Sequence, residues 1–505
     1  MPGRAPAIRL PAAAGGMSGI QAALDAACPV PASRRTDLSA AVRDLSRMLT
    51  TERGSAARSY WRTPRLTAAY LNYFLPWNIC RLSQLLPDLD LGLGFGARIL
   101  DAGSGPLTLP AALWCARPDL RSLPLEFVCA DIAPHPLELG RDIFRALAGA
   151  GSPWRIRTVR ASLERMLFPR RGGSYDLIAA LNVLNELHGG RGKREAETLE
   201  DDLDGLAAVA AARLKPGGRL LVLEPGTRLG GKIVALLRKG ASAHGCRVLA
   251  PCTHQAPCPM LRSIHAEENY AAPAYTAARL RASHRNPRAE GGPVMRRPGM
   301  EEYASRNAHA EANYAACRGT QAGTTRFSGW CHFSCPADGA PETLRELTRQ
   351  AGLQKKRLSF SFLLAAKDAE VPPATPGSGK NAGKADTRTE LRVLSDPIVV
   401  PGENAPARYA CSESGLVLLA DARHIPSQAL VRASARKDAA GRKMFDAKSG
   451  LPVYVVSHVP AEYRRQGEKL EGREPIRKMR MTQEEQERIR KQVHKRPNRS
   501  TDMSR

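Results

Sequence analysis

The chain has 505 residues, 43% of them hydrophobic, and a formal net charge of +26 at pH 7. This length and apolar fraction suffice for several domains and at least one large core, which excludes a wholly disordered chain. No stretch reaches the roughly 20 continuous apolar residues of a membrane helix, and eleven irregularly spaced cysteines exclude a small secreted disulfide scaffold. We therefore expect a soluble protein of a reducing compartment, monomeric and without membrane contact.

The excess of basic residues indicates a polyanionic partner. Neutralising phosphates releases condensed counterions, so a strongly basic protein gains a large, salt-sensitive attraction to nucleic acid. RNA is the partner that we favour. An arginine-rich composition without a nucleic-acid partner is the alternative, because arginine is spread along the whole chain.

The N-terminal composition leaves two compartments open. Residues 1–36 contain one acid, Asp25, and four arginines, a composition that transit peptides share, although they show no amphipathic stripe. We expect the bacterial cytoplasm, with the mitochondrial matrix as the alternative.

The first half of the chain divides into three predicted regions. Residues 1–36 are expected to be disordered, and 37–96 to form a helical cap. From 97 to 260, short apolar runs alternate with helical segments, which predicts an α/β core with a mostly parallel sheet. The predicted strands of this core are 98–101, 125–131, 175–180 and 219–224.

A glycine-containing turn, Asp101-Ala-Gly103-Ser104-Gly105, follows the first predicted strand. Glycines there let the backbone turn tightly and approach a ligand at the start of the next helix. Asp131 ends the second predicted strand, where a carboxylate can accept hydrogen bonds from both hydroxyls of a ribose. The candidate cofactor-binding residues are Asp101, Gly103, Ser104, Gly105, Asp131 and Asn182. Glycine turns, a helix cap at Asp131 and a strand-end amide at Asn182 are the structural alternatives.

The segment Leu214-Lys-Pro-Gly-Gly-Arg219 resembles the turn before the fifth strand of class I methyltransferases that use S-adenosyl-L-methionine. Their usual loop has a third glycine where this chain has Leu107. We expect the Leu107 side chain to intrude on the space for the methionine portion of the cofactor.

Four segments resemble the methyltransferase-like small-ribosomal-subunit proteins of bacteria and mitochondria. They are Ala180-Leu-Asn-Val-Leu-Asn-Glu-Leu187, Leu221-Val-Leu-Glu-Pro-Gly-Thr227, Val248-Leu-Ala-Pro-Cys-Thr-His-Gln-Ala-Pro-Cys-Pro259 and Trp330-Cys-His-Phe-Ser334. The resemblance runs from about residue 60 to 460. It implies a class I methyltransferase fold that associates with the small subunit, acts in its assembly or in translation, and holds a [4Fe-4S] cluster on four cysteines.

The resemblance assigns Cys252, Cys258 and Cys331 as cluster ligands, with Cys411 as the fourth and Cys335 as its competitor. Four thiolates converging from separate loops suit a cubane cluster. Zinc is the alternative metal, although structural zinc sites usually show tight Cys-x2–4-Cys knuckles. The alternative without metal is that these cysteines are buried free thiols.

The second half contains further segments. An insertion of low order is predicted over 261–328, with a near-duplicate motif at 265–272 and 309–316. The end of the core, carrying one cluster ligand, is expected at 329–369, a linker at 370–388, a small β-rich domain at 389–460 and a basic tail at 461–505.

Two functions remain open at this level. The first is a binding and assembly module that contacts small-subunit ribosomal RNA and proteins and whose cofactor site is not catalytic. The alternative is an active methyltransferase of ribosomal RNA that positions the cofactor against a bound base. No catalytic residue is assigned, because Asn185 and Glu186 could equally cap a helix.

Overall fold

The structure is a computed structural model that describes residues 17–50, 60–163, 165, 174–188, 196–261, 329–368, 389–400, 406–422 and 424–458. These residues belong to one compact unit, Met1–Pro460. The near-duplicate motif, the linker 370–388 and the tail 461–505 lie outside the described residues.

Short helices form the N-terminal region. Their bounds are Ser18–Ala27, Ala32–Arg35, Leu38–Thr50, Tyr60–Arg62, Pro64–Ala69, Tyr70–Phe74, Leu75–Leu85 and Leu86–Asp88. The longest continuous helical run extends from Pro64 to Asp88. Pro64 occupies its first helical position, where the missing N–H is not needed. This region is the predicted helical cap.

The N-terminal boundary of the cap differs from the prediction. Residues 18–27 were expected to be disordered, but they form a helix whose Ile20 and Leu24 are each 1% exposed. The two side chains lie one helical turn apart, and burying them offsets the entropy of ordering this helix.

A sheet of eight strands forms the centre of the molecule. Its strands are β1 (Arg98–Ala102), β2 (Glu126–Asp131), β3 (Arg155–Arg160), β4 (Tyr175–Leu181), β5 (Leu214–Pro225), β6 (Cys246–Ala250), β7 (Phe333–Pro336) and β8 (Arg357–Lys367). The strand order is β3-β2-β1-β4-β5-β8-β6, and β7 pairs with β8. The pairs from β3 to β5 are parallel, whereas β8 is antiparallel to β5, β6 and β7.

Helices connect these strands. They are Thr108–Ala116, Pro118–Leu120, Pro134–Ala148, Leu184–His188, Ala196–Arg213, Arg228–Ala243 and Glu342–Gln350. The strand order reverses between β1 and β4, and the loops at the carboxyl ends of adjacent parallel strands meet in a crevice at such a point. The predicted α/β core with a mostly parallel sheet is confirmed.

A second, smaller sheet closes into a barrel. Its strands are β9 (Thr389–Val393), β10 (Arg408–Ser412), β11 (Gly415–Ala420), β12 (Leu430–Ala435) and β13 (Val453–His458), in the order β10-β11-β13-β12-β9. The pair of β11 and β13 is parallel, and the other pairs are antiparallel. The predicted β-rich domain is therefore a closed barrel.

Polar contacts fix the barrel against the core. Arg392 on β9 is 1% exposed, and its guanidinium donates to the carbonyls of Pro251 (2.8 Å) and Gln428 (2.7 Å). Ser334 on β7 donates to Asp396 (2.6 Å), which also pairs with Arg357. The barrel is thus held at the side of the sheet where β7 and β8 lie.

Within the part of the chain that the structure describes, no helix combines the length and apolar character that a bilayer crossing needs.

Candidate functional site

The loop after β1 depends on glycine. Gly103 has φ 75° and Gly105 has φ 53°, both in the left-handed region that glycine tolerates best. A Cβ atom on Gly103 would lie 2.4 Å from Cγ2 of Val183. Any side chain at position 103 would therefore push apart the loops that follow β1 and β4.

Asp101 and Ser104 brace this loop from within. Asp101 is 1% exposed and Ser104 is 2% exposed, and the Ser104 hydroxyl donates to Oδ2 of Asp101 over 2.5 Å. Burial raises the pKa of Asp101 to about 7, although the Ser104 hydrogen bond opposes the shift. Asp101 thus supports the loop, and its own carboxyl group changes charge near neutral pH.

Asp131 lies beside the same loop. Its Oδ2 accepts from the backbone N–H of Gly105 (3.0 Å) and its Oδ1 from that of Ala133 (2.9 Å). Burial raises the pKa of Asp131, and these backbone donors counteract the shift. Because each carboxylate oxygen has two lone pairs, the side chain can still accept hydrogen bonds from a ligand while it holds the loop.

Leu107 does not lie where the sequence analysis expected. It adopts φ 55°, as a glycine would, but its side chain is fully buried in the core cluster. A Cβ atom on Gly140, in the helix after β2, would lie 2.7 Å from Cδ1 of Leu107. The leucine side chain thus points into the space that Gly140 leaves empty, and the expected obstruction by Leu107 is wrong in this structure.

The end of β4 carries two amide side chains with buried acceptors. Asn182 has φ 55°, and the Oδ1 atoms of Asn182 and Asn185 are buried without a hydrogen-bond donor among the described residues. Such an acceptor costs about 1–3 kcal/mol when nothing donates to it. A bound ligand could supply the donor, which favours a binding site over a satisfied strand-end amide at Asn182.

Glu224, at the end of β5, organises the neighbouring loop. It is fully buried, and its two oxygens accept from the backbone N–H groups of Leu184 (3.0 Å) and Asn185 (3.2 Å). Burial raises the pKa of Glu224 to about 8, against the effect of those donors. The carboxyl group therefore caps the helix Leu184–His188, a role that we did not predict from the sequence.

The helical cap contributes aromatic side chains near Asp131 and Glu186. Tyr60 and Tyr70 stack with their ring centroids 5.7 Å apart, and Trp61 lies 4.6 Å from Tyr70. Burial raises the pKa of both tyrosines, and the charges of Glu186 and Asp131 add to the shift. The phenols therefore lie near the carboxylates at the carboxyl ends of β2 and β4.

A residue adjacent to Asp131 was also missed. Ile132 is 50% exposed, although it directly follows a buried strand. Its exposed apolar side chain follows the candidate cofactor-binding residue Asp131 directly in the chain. In the sequence, only the position of Ile132 next to Asp131 sets it apart. The apolar pattern alone makes it look like one more residue of the buried strand.

The four cysteines predicted as cluster ligands lie close enough to one another for their charges to interact. The charges of Cys252, Cys258 and Cys331 contribute, after burial, to raising the pKa of Cys411. Those of Cys252 and Cys258 do the same for Cys331. Four sulfur atoms from β10, from the segment after β6 and from the segment before β7 are therefore electrostatic neighbours; we call these four residues the cysteine cluster.

Cys335 lies apart from the cysteine cluster. It is fully buried on β7, and its thiol faces the carbonyl of Leu358 (3.6 Å). Burial raises the pKa of Cys335 to about 12, and the charges that act on it are those of Arg81 and Arg357. Of the two candidates for a fourth ligand, Cys411 is the one beside the other three.

A buried arginine faces the cysteine cluster. Arg238 is 4% exposed, and its guanidinium donates to Sγ of Cys252 (3.2 Å) and to the carbonyls of His254 (3.0 Å) and Ala256 (2.7 Å). Burial acts against its charge, but the sulfurs of Cys252, Cys258 and Cys411 raise its pKa. A guanidinium stays protonated, so this cation is best compensated when those sulfurs are thiolates.

His254 belongs to the same environment. It is 6% exposed, its Nε2 lies 3.6 Å from Sγ of Cys411, and its Nδ1 is buried without a described partner. Burial and the charge of Arg238 lower the pKa of His254 to about 4, so the ring is neutral at pH 7.

Neighbouring contacts hold Cys331 in place. Trp330 donates to the carbonyl of Gly226 (2.9 Å), and Ser361 donates to the carbonyl of Cys331 (2.7 Å). A Cβ atom on Gly231 would lie 2.8 Å from the Trp330 ring. The glycine thus lets this segment pack directly on the helix Arg228–Ala243.

Among the described residues, no three His, Cys, Asp or Glu side chains are already arranged as a metal site. The donor chemistry of the cysteine cluster and the buried cation beside it fit a thiolate-bound metal, whereas the placement of the sulfurs is not that of a closed coordination shell.

The strand order, with an antiparallel β8 inserted between β5 and β6, and the glycine loop beside an acid at the end of β2 define the class I methyltransferase fold. To this fold the chain adds a helical cap and a C-terminal barrel.

Within this class, residues 95–287 match the family described as mitochondrial small ribosomal subunit Rsm22. The match begins just before β1, spans less than half of the chain, and ends beyond Leu261. No curated protein matches the chain.

Solved structures that resemble the chain include two methyltransferases and TrmN. One is from Pyrococcus furiosus (18% identity, 31% of this chain and 68% of that one, TM-score 0.22). The others are precorrin-6y C5,15-methyltransferase from Geobacter metallireducens (16%, 35% and 73%, TM-score 0.22) and TrmN from Thermus thermophilus (24%, 35% and 47%, TM-score 0.23). At these scores they carry no functional argument.

Proposed function

We propose that this protein associates with the small ribosomal subunit and acts in its assembly or in translation by binding ribosomal RNA. The observation that carries the proposal is the match of residues 95–287 to a small-ribosomal-subunit family, on a chain with a net charge of +26. The description of that family favours the mitochondrial matrix, the alternative compartment of the sequence analysis.

Sedimentation tests this association. Tagged full-length protein, extracted at low salt and separated on a sucrose gradient, should migrate with the small subunit and leave it as salt rises, because phosphate contacts weaken with ionic strength. Sedimentation at the top of the gradient at every salt concentration would contradict the proposal.

The methyltransferase domain is proposed to bind S-adenosyl-L-methionine, which supplies an electrophilic methyl group when bound. Asp131 would accept hydrogen bonds from the ribose, and the loop of Gly103, Ser104 and Gly105, braced by Asp101, would pass close to the ligand. The unpaired acceptor of Asn182 at the end of β4 supports a ligand at this crevice.

Calorimetric titration of the cofactor tests this site. Replacing Asp131 with Asn keeps an acceptor but removes the charge, and we expect about tenfold weaker binding, since hydrogen bonds to a charged group contribute roughly 1.5–3 kcal/mol. The control is Asp142→Asn on the exposed side of the helix Pro134–Ala148. Equal affinities of the two variants would argue against Asp131 as the ribose ligand.

An active methyltransferase of ribosomal RNA is a second candidate. The burial of Leu107 against Gly140 favours it, because the side chain expected to obstruct the cofactor leaves the pocket. Small-subunit RNA from cells with and without the gene should then differ by one methyl mark, restored by the wild-type gene but not by Asp131→Ala. If the methyl marks are the same with and without the gene, the methyltransferase candidate is rejected and the binding and assembly role is retained.

The cysteine cluster is proposed to hold a [4Fe-4S] cluster on Cys252, Cys258, Cys331 and Cys411, with zinc as the alternative metal. Arg238 supports this assignment, because four thiolates around a metal leave a negative group beside this buried cation. The metal would link the methyltransferase core to the barrel.

Metal analysis of protein purified without oxygen tests the ligands. Brown protein with about four iron and four sulfide per chain is expected. Cys411→Ser should lower the iron content severalfold, whereas Cys335→Ser should leave it unchanged. Colourless protein with one zinc per chain would show that the metal is zinc and not iron. Protein without metal would refute the metal site.

A further inference from the structure

The C-terminal barrel has the strand connectivity of an oligonucleotide-binding fold. Its first strand, β9, pairs with both the second, β10, and the fourth, β12. The third and fifth strands, β11 and β13, are parallel, and the circuit closes through β12 and β13. Five-stranded barrels of this topology bind oligonucleotides with the face of strands two and three and with two loops, one of which joins strands four and five.

The loop between β12 and β13, residues 436–452, is built from two tight turns. Asp438 accepts from the backbone N–H groups of Ala440 and Arg442, at 2.9 Å each. Asp446 accepts from the backbone N–H (2.7 Å) and hydroxyl (2.6 Å) of Ser449. These carboxylates fix the loop without a ligand, so little entropy is lost when it binds one.

The loop is joined to the second and third strands. Val453, directly after it, pairs with Leu418 on β11, which pairs with Tyr409 on β10. The charge of Asp446 adds to burial in raising the pKa of Tyr409, so the second turn lies near β10. The loop therefore extends the face that such barrels use for nucleic acid.

The outer side of the loop presents an aromatic ring among cations. Met444 packs on the core, whereas its neighbour Phe445 is 53% exposed. The exposed basic residues around it in sequence are Lys437, Arg442, Lys443 and Lys448. An exposed phenyl ring costs free energy in water, and positive charges beside it suit a ligand that combines a flat base with a phosphate.

We propose that the loop 436–452 binds single-stranded RNA, with Phe445 stacking on a base and with Lys443 and Lys448 neutralising adjacent phosphates. The side of the barrel around Cys411 meets the methyltransferase core, so β10 and β11 are partly covered. Among the described residues, the loop 436–452 is a part of the nucleic-acid face that stays open to solvent. This inference deepens the proposed RNA association by naming the strand state of the RNA and the segment that binds it.

Fluorescence anisotropy with full-length protein and a labelled uridine-rich 12-mer tests the proposal. We expect Phe445→Ala to weaken binding about 5- to 50-fold, because a base–aromatic stack is lost, and Phe445→Tyr to retain it. The matched control is Phe95→Ala, which removes a phenyl ring that is 86% exposed in the loop before β1. Thermal unfolding of each variant shows whether the fold is intact.

Salt dependence tests the lysines. The double variant Lys443→Ala with Lys448→Ala should lower the slope of log affinity against log salt by about 1.4, roughly 0.7 per phosphate contact on a single strand. Equal affinity for the 12-mer and for a duplex of the same length would overturn the proposal, as would an unchanged affinity of Phe445→Ala. Neither result bears on gradient co-migration with the small subunit, so failure of the loop and failure of the ribosomal association are distinguishable.

Discussion

Two residues of complementary size meet where the loop after β1 packs on the helix after β2. Leu107 occupies a left-handed position that suits glycine, and Gly140 in the facing helix makes room for its side chain. A Cβ atom on Gly140 would lie 2.5 Å from the carbonyl carbon of Pro106. The loop and the helix are thus matched in shape, because the leucine at 107 fits only when residue 140 is as small as glycine.

Gly140→Ala should destabilise the protein by about 1–3 kcal/mol, because the added methyl group overpacks a buried contact with backbone atoms. Gly205→Ala is the control: a Cβ atom there meets nothing within 4 Å, and alanine favours the helix by up to about 1 kcal/mol. Chemical denaturation measures both. Equal stabilities of the two variants would contradict the close packing of Gly140.

Asp101 makes stability depend on pH. Its pKa rises from 3.8 when unfolded to about 7 in the fold, since burial disfavours the charge. Protonated Asp101 contributes on the order of 2–4 kcal/mol to the free energy of unfolding. This contribution is complete below about pH 4 and is lost as pH rises through 7. Asp101→Asn keeps an acceptor for Ser104 and should flatten the fall in unfolding free energy between pH 5 and 7.

The control for this pH effect is Glu342→Gln. Glu342 is exposed, and the hydrogen bond from Arg349 lowers its pKa, so it titrates below this range. Denaturation curves at several pH values compare the variants. A slope that Asp101→Asn leaves unchanged would show that other groups, such as Glu224, account for the pH dependence.

At the scale of elements, one helix contacts two of the segments that carry the cysteines. The helix Arg228–Ala243 begins after β5, where Thr227 accepts from the backbone N–H of Gly230 (3.2 Å). Its first turn contacts Trp330 through Gly231, and Arg238, two turns later, donates to Cys252. The helix therefore fixes two of the segments that carry the cysteines.

If the cysteine cluster binds metal, Arg238→Met should reduce metal content, because the apolar side chain keeps much of the volume but removes the cation that faces the cysteines. A loss of about 10-fold in metal affinity is expected, in the range seen for residues that contact metal ligands. Arg238→Lys should retain more metal than Arg238→Met. The measurement is bound iron, sulfide and zinc per chain after purification without oxygen.

Lys239→Met is the matched control for this helix. Lys239 is the next residue, its side chain is 61% exposed, and it pairs with Glu200 on the neighbouring helix. It should keep the metal content of the wild type. Equal metal content in the two methionine variants would refute the role of Arg238.

At the scale of the whole molecule, the barrel and the core share one set of buried contacts. Cys411 comes from the barrel and the other three cysteines from the core, while Arg392 joins β9 to the segment that precedes Cys252. A metal on the cysteine cluster would add a covalent connection to these hydrogen bonds. The barrel and core are then expected to unfold together.

Cys411→Ser should separate the unfolding of the barrel from that of the core. Without the fourth ligand the proposed metal connection is lost, so calorimetry should show two transitions, or one broadened transition, in place of one. Cys28→Ser, which changes a half-buried thiol in the N-terminal helical region, is the control. A single unchanged transition in Cys411→Ser would indicate that the hydrogen bonds alone couple the two parts.

The elements that were predicted well are those whose residues carry a local signal. The strands β1, β2, β4 and β5 of the parallel core are largely apolar runs, which the sequence marks directly, and the glycine loop directly follows β1. Within the core, the strands β3, β6 and β7 were missed, because β3 alternates with arginines and β6 and β7 are only five and four residues long. The helix Ser18–Ala27 was missed because its stability comes from packing on the core.

The sequence by itself determined the class of fold, the basic charge and the identity of the candidate cofactor and cysteine residues, because these depend on residue type and on short spacings. The tertiary structure alone decided that Leu107 turns into the core, that Cys411 and not Cys335 joins the other cysteines, and that Arg238 faces them. It also closed the barrel and exposed Phe445. Each of these depends on contacts between residues far apart in the chain, which no local pattern encodes.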